Sequence, residues 1–317
     1  MQNNISLHRD IKRIRATVAT EFIWQYDLKP LENEQEILKG ILHEENKVNM
    51  NPRYHRGSYT ERHLYTRMSL REKLSNLNSF LQAEAVTNPF ILISDKVKWL
   101  TFYNDSIDLK LTFTHGRPLN KINSSKFIFV PIFKLYQQIL AEDEFKEIVF
   151  GKDKQEAIDM DHIGDYGVEI HKVLGLQEYN LVEDYNVYEK RSFKLLLEVL
   201  NQLAVGQTLM IVNLNTLTHF YASVLYIAAK TCFGKTGFTS NNSIILSNLK
   251  NKAALKYLDT VESECDNVRT DGAMDVLNSL AVQTTNIGEF YNNVVLYNNT
   301  FYRNKCTKYL SKIEKYI

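Results

Sequence analysis

The chain has 317 residues, of which 44% are hydrophobic and 24% charged, and its formal net charge is +1. That apolar content is enough for a sizeable globular core, and near-neutrality excludes a global field drawing the whole molecule to nucleic acid or a membrane. No run of roughly 18 apolar residues and no apolar core of signal-peptide length occurs, so neither a membrane span nor a leader is expected.

The prolines (Pro30, Pro52, Pro89, Pro118, Pro131) all precede Ile132. The rest of the chain is therefore free for long helices and central strands, which proline breaks. A division near residue 87 separates a helical N-terminal arm, 1–87, from a domain of 88–317. In the arm, Ile11–Tyr26 and Glu34–Leu42 have helical spacing of apolar groups. The turn-rich NMNPRYHRG follows, and then Thr60–Gln82 reads as a helix turning Leu64, Met68, Leu70, Leu74, Leu77 and Leu81 to a core.

After Asn88 the pattern predicts strands at PFILIS, at the alternating LKLTFTH and at KFIFVPI. Phe133–Leu140 is expected to be helical, FKEIVFG a strand and Gly164–Gly175 a loop-rich connection. Ser192–Ala204 (SFKLLLEVLNQLA) is an amphipathic helix ended by Gly206, a residue that tolerates positive φ. TLMIVNL follows as a buried strand. A helix over Thr218–Phe233 is capped by Thr218 or Thr216, and NSIILSN is a further strand. Helices over Lys250–Glu262, Met274–Val282 and Phe290–Tyr316 close the chain. Helix and strand in tight alternation predict an α/β fold, a parallel or mixed sheet with helices packed on it.

Three constellations bear on chemistry. RYHRGSYTERHLYTR, Arg53 to Arg67, interleaves arginines with tyrosines. Arginine pairs with phosphates and stacks on bases, and tyrosine adds a stacking surface, so Arg53, Tyr54, Arg56, Tyr59 and Arg62 are candidates for binding RNA or an acidic protein. The other reading is a solvated helix face with half-buried tyrosines. His162 and His171 lie near Asp159, Asp161 and Asp165, but the spacing matches no metal motif, and no metal site is assigned. Gly164 and Gly167 in IGDYG do not follow a clear strand and read as an ordinary turn. No GxSxG elbow, HExxH or phosphate loop is present. Cys232, Cys265 and Cys306 are odd in number and far apart, which argues against a disulfide framework and for a reducing compartment.

The order helix, turn at Gly206, TLMIVNL, TLTHFYASVLYIAAKTCF and SNNSIILSN resembles the C-terminal half of the FtsJ-type ribose 2′-O-methyltransferases. In that family the strand leads to a lysine, then to a threonine-containing helix cap, a helix ending in an aromatic and a strand bearing a glutamate. The lysine position is Asn213 here and the glutamate falls at about Ile244. An amide has no titratable nitrogen with which to deprotonate a ribose hydroxyl. The family's glycine-rich loop for S-adenosylmethionine has no counterpart. The resemblance implies the fold, with Asn213 and Ile244 as vestigial catalytic positions, and no bound cofactor.

A narrower resemblance is to the small, non-catalytic subunit of the poxvirus-type mRNA capping enzyme. It begins near NPFILIS, is clearest from YNLVEDYNVYEKRSF through LYIAAKTCF and SIILSN, and resumes in TNIGEFYNNVVLYNNTFYRNKCTKYL. It covers about the last two thirds of the chain, with low identity. It implies a methyltransferase-like (Rossmann-type), mostly parallel sheet flanked by helices, with a helical N-terminal extension and a helical C-terminus. It also implies a non-catalytic heterodimer partner that activates the cap guanine methyltransferase domain of a large catalytic subunit, which itself binds S-adenosylmethionine. Cytoplasmic location, in a virion or viral factory for a viral protein, goes with it. Asn88 and Phe90, at the start of the matching region, are candidates for the partner face. Two alternatives remain, an active RNA ribose 2′-O-methyltransferase and an RNA-binding accessory protein using Arg53–Arg67.

Overall fold

The computed structural model describes residues 70–83, 92–116, 124–150, 166–177, 185–267, 276–280 and 288–316. In chain order these form α1 (70–83), β1 (Val97–Leu100), β2 (Thr114–Gly116), α2 (Val130–Ala141), α3 (Asp143–Phe150), β3 (Lys172–Gly175) and α4 (Tyr185–Gln202). Then come β4 (Leu209–Val212), α5 (His219–Ile227), β5 (Phe233–Thr239), β6 (Ser243–Leu249), α6 (Lys256–Asn267), β7 (Val276–Asn278) and α7 (Gly288–Glu314). The chain divides into two compact units, one of Met1–Phe90, Phe129–Asp153 and Tyr302–Ile317, the other of Ile91–Ile128 and Lys154–Phe301.

In the first unit, α1 buries Leu74, Leu77, Phe80 and Leu81, the helical spacing expected for the described part of Thr60–Gln82. Lys73 on α1 donates to Glu142 at the end of α2, 2.8 Å away, with both side chains largely out of water. Tyr136 of α2 meets Tyr302 edge-on and stacks on Tyr309, and Phe150 of α3 meets Tyr309 edge-on. Two predicted strands do not form here. KFIFVPI runs into the first turn of α2, where Pro131 is tolerated because its missing N–H has no helical partner. FKEIVFG lies largely in α3, whose first turn carries Asp143 and Glu144 beside the positive end of the helix dipole. A short apolar run does not by itself distinguish a strand from a buried helix turn.

The second unit holds a five-stranded sheet in the order β1-β5-β6-β4-β3 and a small sheet of β2 with β7. β3, α4 and β4 form a βαβ unit, and β3 and β4 pair in parallel, Leu174 opposite Ile211. The other three pairings of the five-stranded sheet are antiparallel. The architecture is therefore α/β as expected, but the sheet is mixed and mostly antiparallel rather than mostly parallel. The physical reason lies in β5. Its residues FGKTGFT were expected to be the end of a helix and a connection, and two glycines weaken their look as a strand. With β5 formed, only Ser240–Asn242 separate it from β6, and a link that short joins antiparallel strands.

One face of this sheet carries Leu174, Leu209, Ile211, Phe238, Ile244 and Leu246, all nearly or fully buried. On the other face Met210, Val212 and Ile245 cluster with Tyr166, and Val97, Trp99, Val168, Ile170 and Val173 pack round them partly exposed. α5 begins at His219 with Thr218 as its cap, the Thr218 hydroxyl accepting from the Tyr221 N–H at 3.5 Å. It continues as a π-helical turn, Ala228–Cys232, and gives way to β5 at Phe233. Leu92–Ser94 are not a strand, only Thr114–Gly116 of LKLTFTH and its neighbour pair as one, and Val276–Asn278 form a strand where a helix was expected. Lys172–Gly175, expected in a loop, form β3.

Candidate functional site

Parallel strands joined through a helix present their carboxyl ends to whatever an α/β domain binds, because the loops that can vary gather there. In this chain that place is Leu176–Gln177 after β3 and Asn213–Thr218 after β4. Asn213 follows the last residue of β4 and has φ 63°, a left-handed conformation that asparagine tolerates better than most residues. Its N–H donates to the Asn242 carbonyl at 3.0 Å, and its side-chain Nδ2 donates to the Leu176 carbonyl at 3.4 Å. Ile244 sits on the neighbouring strand opposite Ile211, with no exposed surface. The structure thus places Asn213 and Ile244, the two positions that the resemblance singles out, at the end of β4 and on the adjacent β6, two residues apart in register. One is an amide turned to a backbone carbonyl and the other a sealed aliphatic group.

The segment after β4 is held from several sides. Asn215 is buried, and its Oδ1 accepts from the Leu217 N–H at 3.0 Å. Thr216 donates its hydroxyl to Asn298 Oδ1 at 2.6 Å. Asn298 Nδ2 donates in turn to the carbonyls of Phe127 at 2.7 Å and Thr216 at 3.3 Å. The Tyr297 hydroxyl donates to the Leu214 carbonyl at 3.2 Å, Ser125 Oγ to the Leu217 carbonyl at 2.6 Å and the Tyr291 hydroxyl to the Lys126 carbonyl at 2.6 Å. Each bond satisfies a backbone or amide group that would be costly to bury unpaired. Together they fasten the end of β4 to α7 and to the segment before α2.

Burial governs the titratable groups described at this end of the sheet. His219 meets the Phe127 ring edge-on, and burial, with the Lys126 charge adding, lowers its pKa to about 4. At neutral pH it is an uncharged imidazole and a weak base, far from the pKa that suits proton abstraction. Burial raises the phenols of Tyr291 and Tyr297 above their ordinary value. A second buried polar group lies between α4 and α5, where Tyr221 shares a very short hydrogen bond with Ser192 and approaches the Glu189 carbonyl at 3.2 Å. Burial, then the neighbouring Tyr188 and Glu189, raises the Tyr221 phenol well above its ordinary value. These bonds tie α4 to α5.

Arg53, Tyr54, Arg56, Tyr59, Arg62, Asn88 and Phe90 lie outside the described residues, as do Asp159, Asp161, His162 and Asp165. His171 is described, and its Nδ1 accepts from the Thr208 N–H at 3.3 Å. Among the described residues no group of His, Cys, Asp and Glu is arranged to hold a metal, and no helix is long and apolar enough to cross a membrane. Cys232, Cys265 and Cys306 are buried thiols not joined in a disulfide, and burial pushes the Cys232 thiol up to about 11. Sequence reasoning missed Tyr297 and Asn298. Their signal is YNNT inside a long helical pattern, since asparagine is a poor helix former and its presence at a core position asks for a polar partner. No family model and no curated protein sequence matches the chain.

Proposed function

We propose that this chain is a non-catalytic regulatory subunit of a viral-type mRNA capping enzyme. In this reading it binds the cap guanine methyltransferase domain of a large subunit and activates it allosterically, S-adenosylmethionine being bound by the partner. The observation that carries the reading is Asn213, at the carboxyl end of β4, with an amide turned to the Leu176 carbonyl in place of an ionisable amine. The order α4, the turn at Gly206 with φ 90°, β4 and the Thr218-capped α5 supports it, while β5 stands between α5 and β6 as an element the resemblance did not imply. The mixed sheet limits the likeness to a Rossmann-type fold to the βαβ unit of β3, α4 and β4. Fastening of the strand ends by Tyr297 and Asn298 also favours a binding role over turnover, because an opening for a cofactor there would break those bonds.

An activator works through differential affinity, binding the active state of its partner more tightly than the inactive one. The test mixes the chain with the large subunit of such an enzyme. A stable one-to-one complex is expected, with cap guanine methylation raised and the large subunit's affinity for S-adenosylmethionine or capped RNA raised roughly 5- to 150-fold. Equal rates and equal affinities with and without the chain would overturn the reading. So would methyl transfer to capped RNA by the chain alone, lost in Asn213→Ala.

A further inference from the structure

We draw no further inference here: the strongest candidate, the half-exposed apolar patch of Val97, Trp99, Val168, Ile170 and Val173 on one face of the five-stranded sheet, carries nothing because nothing in the structure shows what covers it.

Discussion

At Gly237 the absence of a methyl group decides how one margin of the five-stranded sheet closes. Gly237 pairs with Trp99, and a Cβ there would lie 2.8 Å from Trp99 Cζ3, 2.9 Å from its Cε3 and 2.9 Å from Val97 Cγ2. The indole lies against the glycine, and Lys235 places its ammonium 4.2 Å from the ring centroid. Gly237→Ala is expected to cost about 1–3 kcal/mol through overpacking, read as a lower urea midpoint at an unchanged slope. An unchanged midpoint would show that Trp99 does not rest there. His219 sets a pH limit. Its folded pKa, about 4, is below the unfolded value of 6.5. Between those two values the unfolded chain takes up a proton that the folded chain refuses, so stability is intact above the upper value and falls as pH drops toward the lower. The loss is at most about 3 kcal/mol, and His219→Gln should flatten the stability profile over that window. A profile identical in the two proteins would place the pH dependence elsewhere.

Among the elements, β5 and β6 illustrate how a turn sets direction. Asn242 ends the link with φ 61°, the left-handed residue that a three-residue hairpin requires. Thr239 Oγ1 donates to the Ser243 carbonyl at 3.0 Å and accepts from its N–H at 3.0 Å. This hairpin places β6 antiparallel beside β4 and puts Ile244 opposite Ile211. In the other unit, α1 and α2 are tied by the ion pair of Lys73 and Glu142, with side-chain exposures of 4% and 22%. Breaking such a pair costs more than replacing it, because the remaining charge loses its partner and not its burial. Lys73→Met should therefore destabilise by about 3 kcal/mol or less, and adding Glu142→Gln should restore part of that loss. Strictly additive effects in this double-mutant cycle would mean that the pair is not coupled.

On the scale of the whole molecule, chain order and spatial order diverge. One compact unit draws on Met1–Phe90, Phe129–Asp153 and Tyr302–Ile317, and the other on the stretches between. α7 contributes residues to both, and its apolar and amide positions serve different surroundings along its length. Tyr302 and Tyr309 meet aromatic rings in the first unit, while Tyr297 and Asn298 bond to backbone carbonyls in the second. Asparagine inside a helix is unfavourable by propensity, so Asn298 is tolerated because its amide saturates carbonyls that burial would leave unmet.

Local physics was legible in the sequence wherever a pattern ran long enough. The period of SFKLLLEVLNQLA, the all-apolar LMIV, the Thr218 cap and the unbroken final helix all appear as predicted elements. At the site, the chemistry of Asn213 and Ile244 followed from their identity alone, since neither side chain carries an ionisable group. Tertiary structure decided the rest. Val130–Phe133 and Phe145–Phe150 are helical because short apolar runs take the form that their neighbours bury best, and Val276–Asn278 are a strand paired with β2. Strand direction depended on whether β5 existed, and that depended on a partner strand far away in sequence, β1, whose Trp99 fits over Gly237. The anchoring of the segment after β4 by Tyr297 and Asn298 was equally non-local. A hydrogen bond between residues 82 or 83 positions apart leaves no periodic trace in the chain, so only the folded backbone brings its donor and acceptor together.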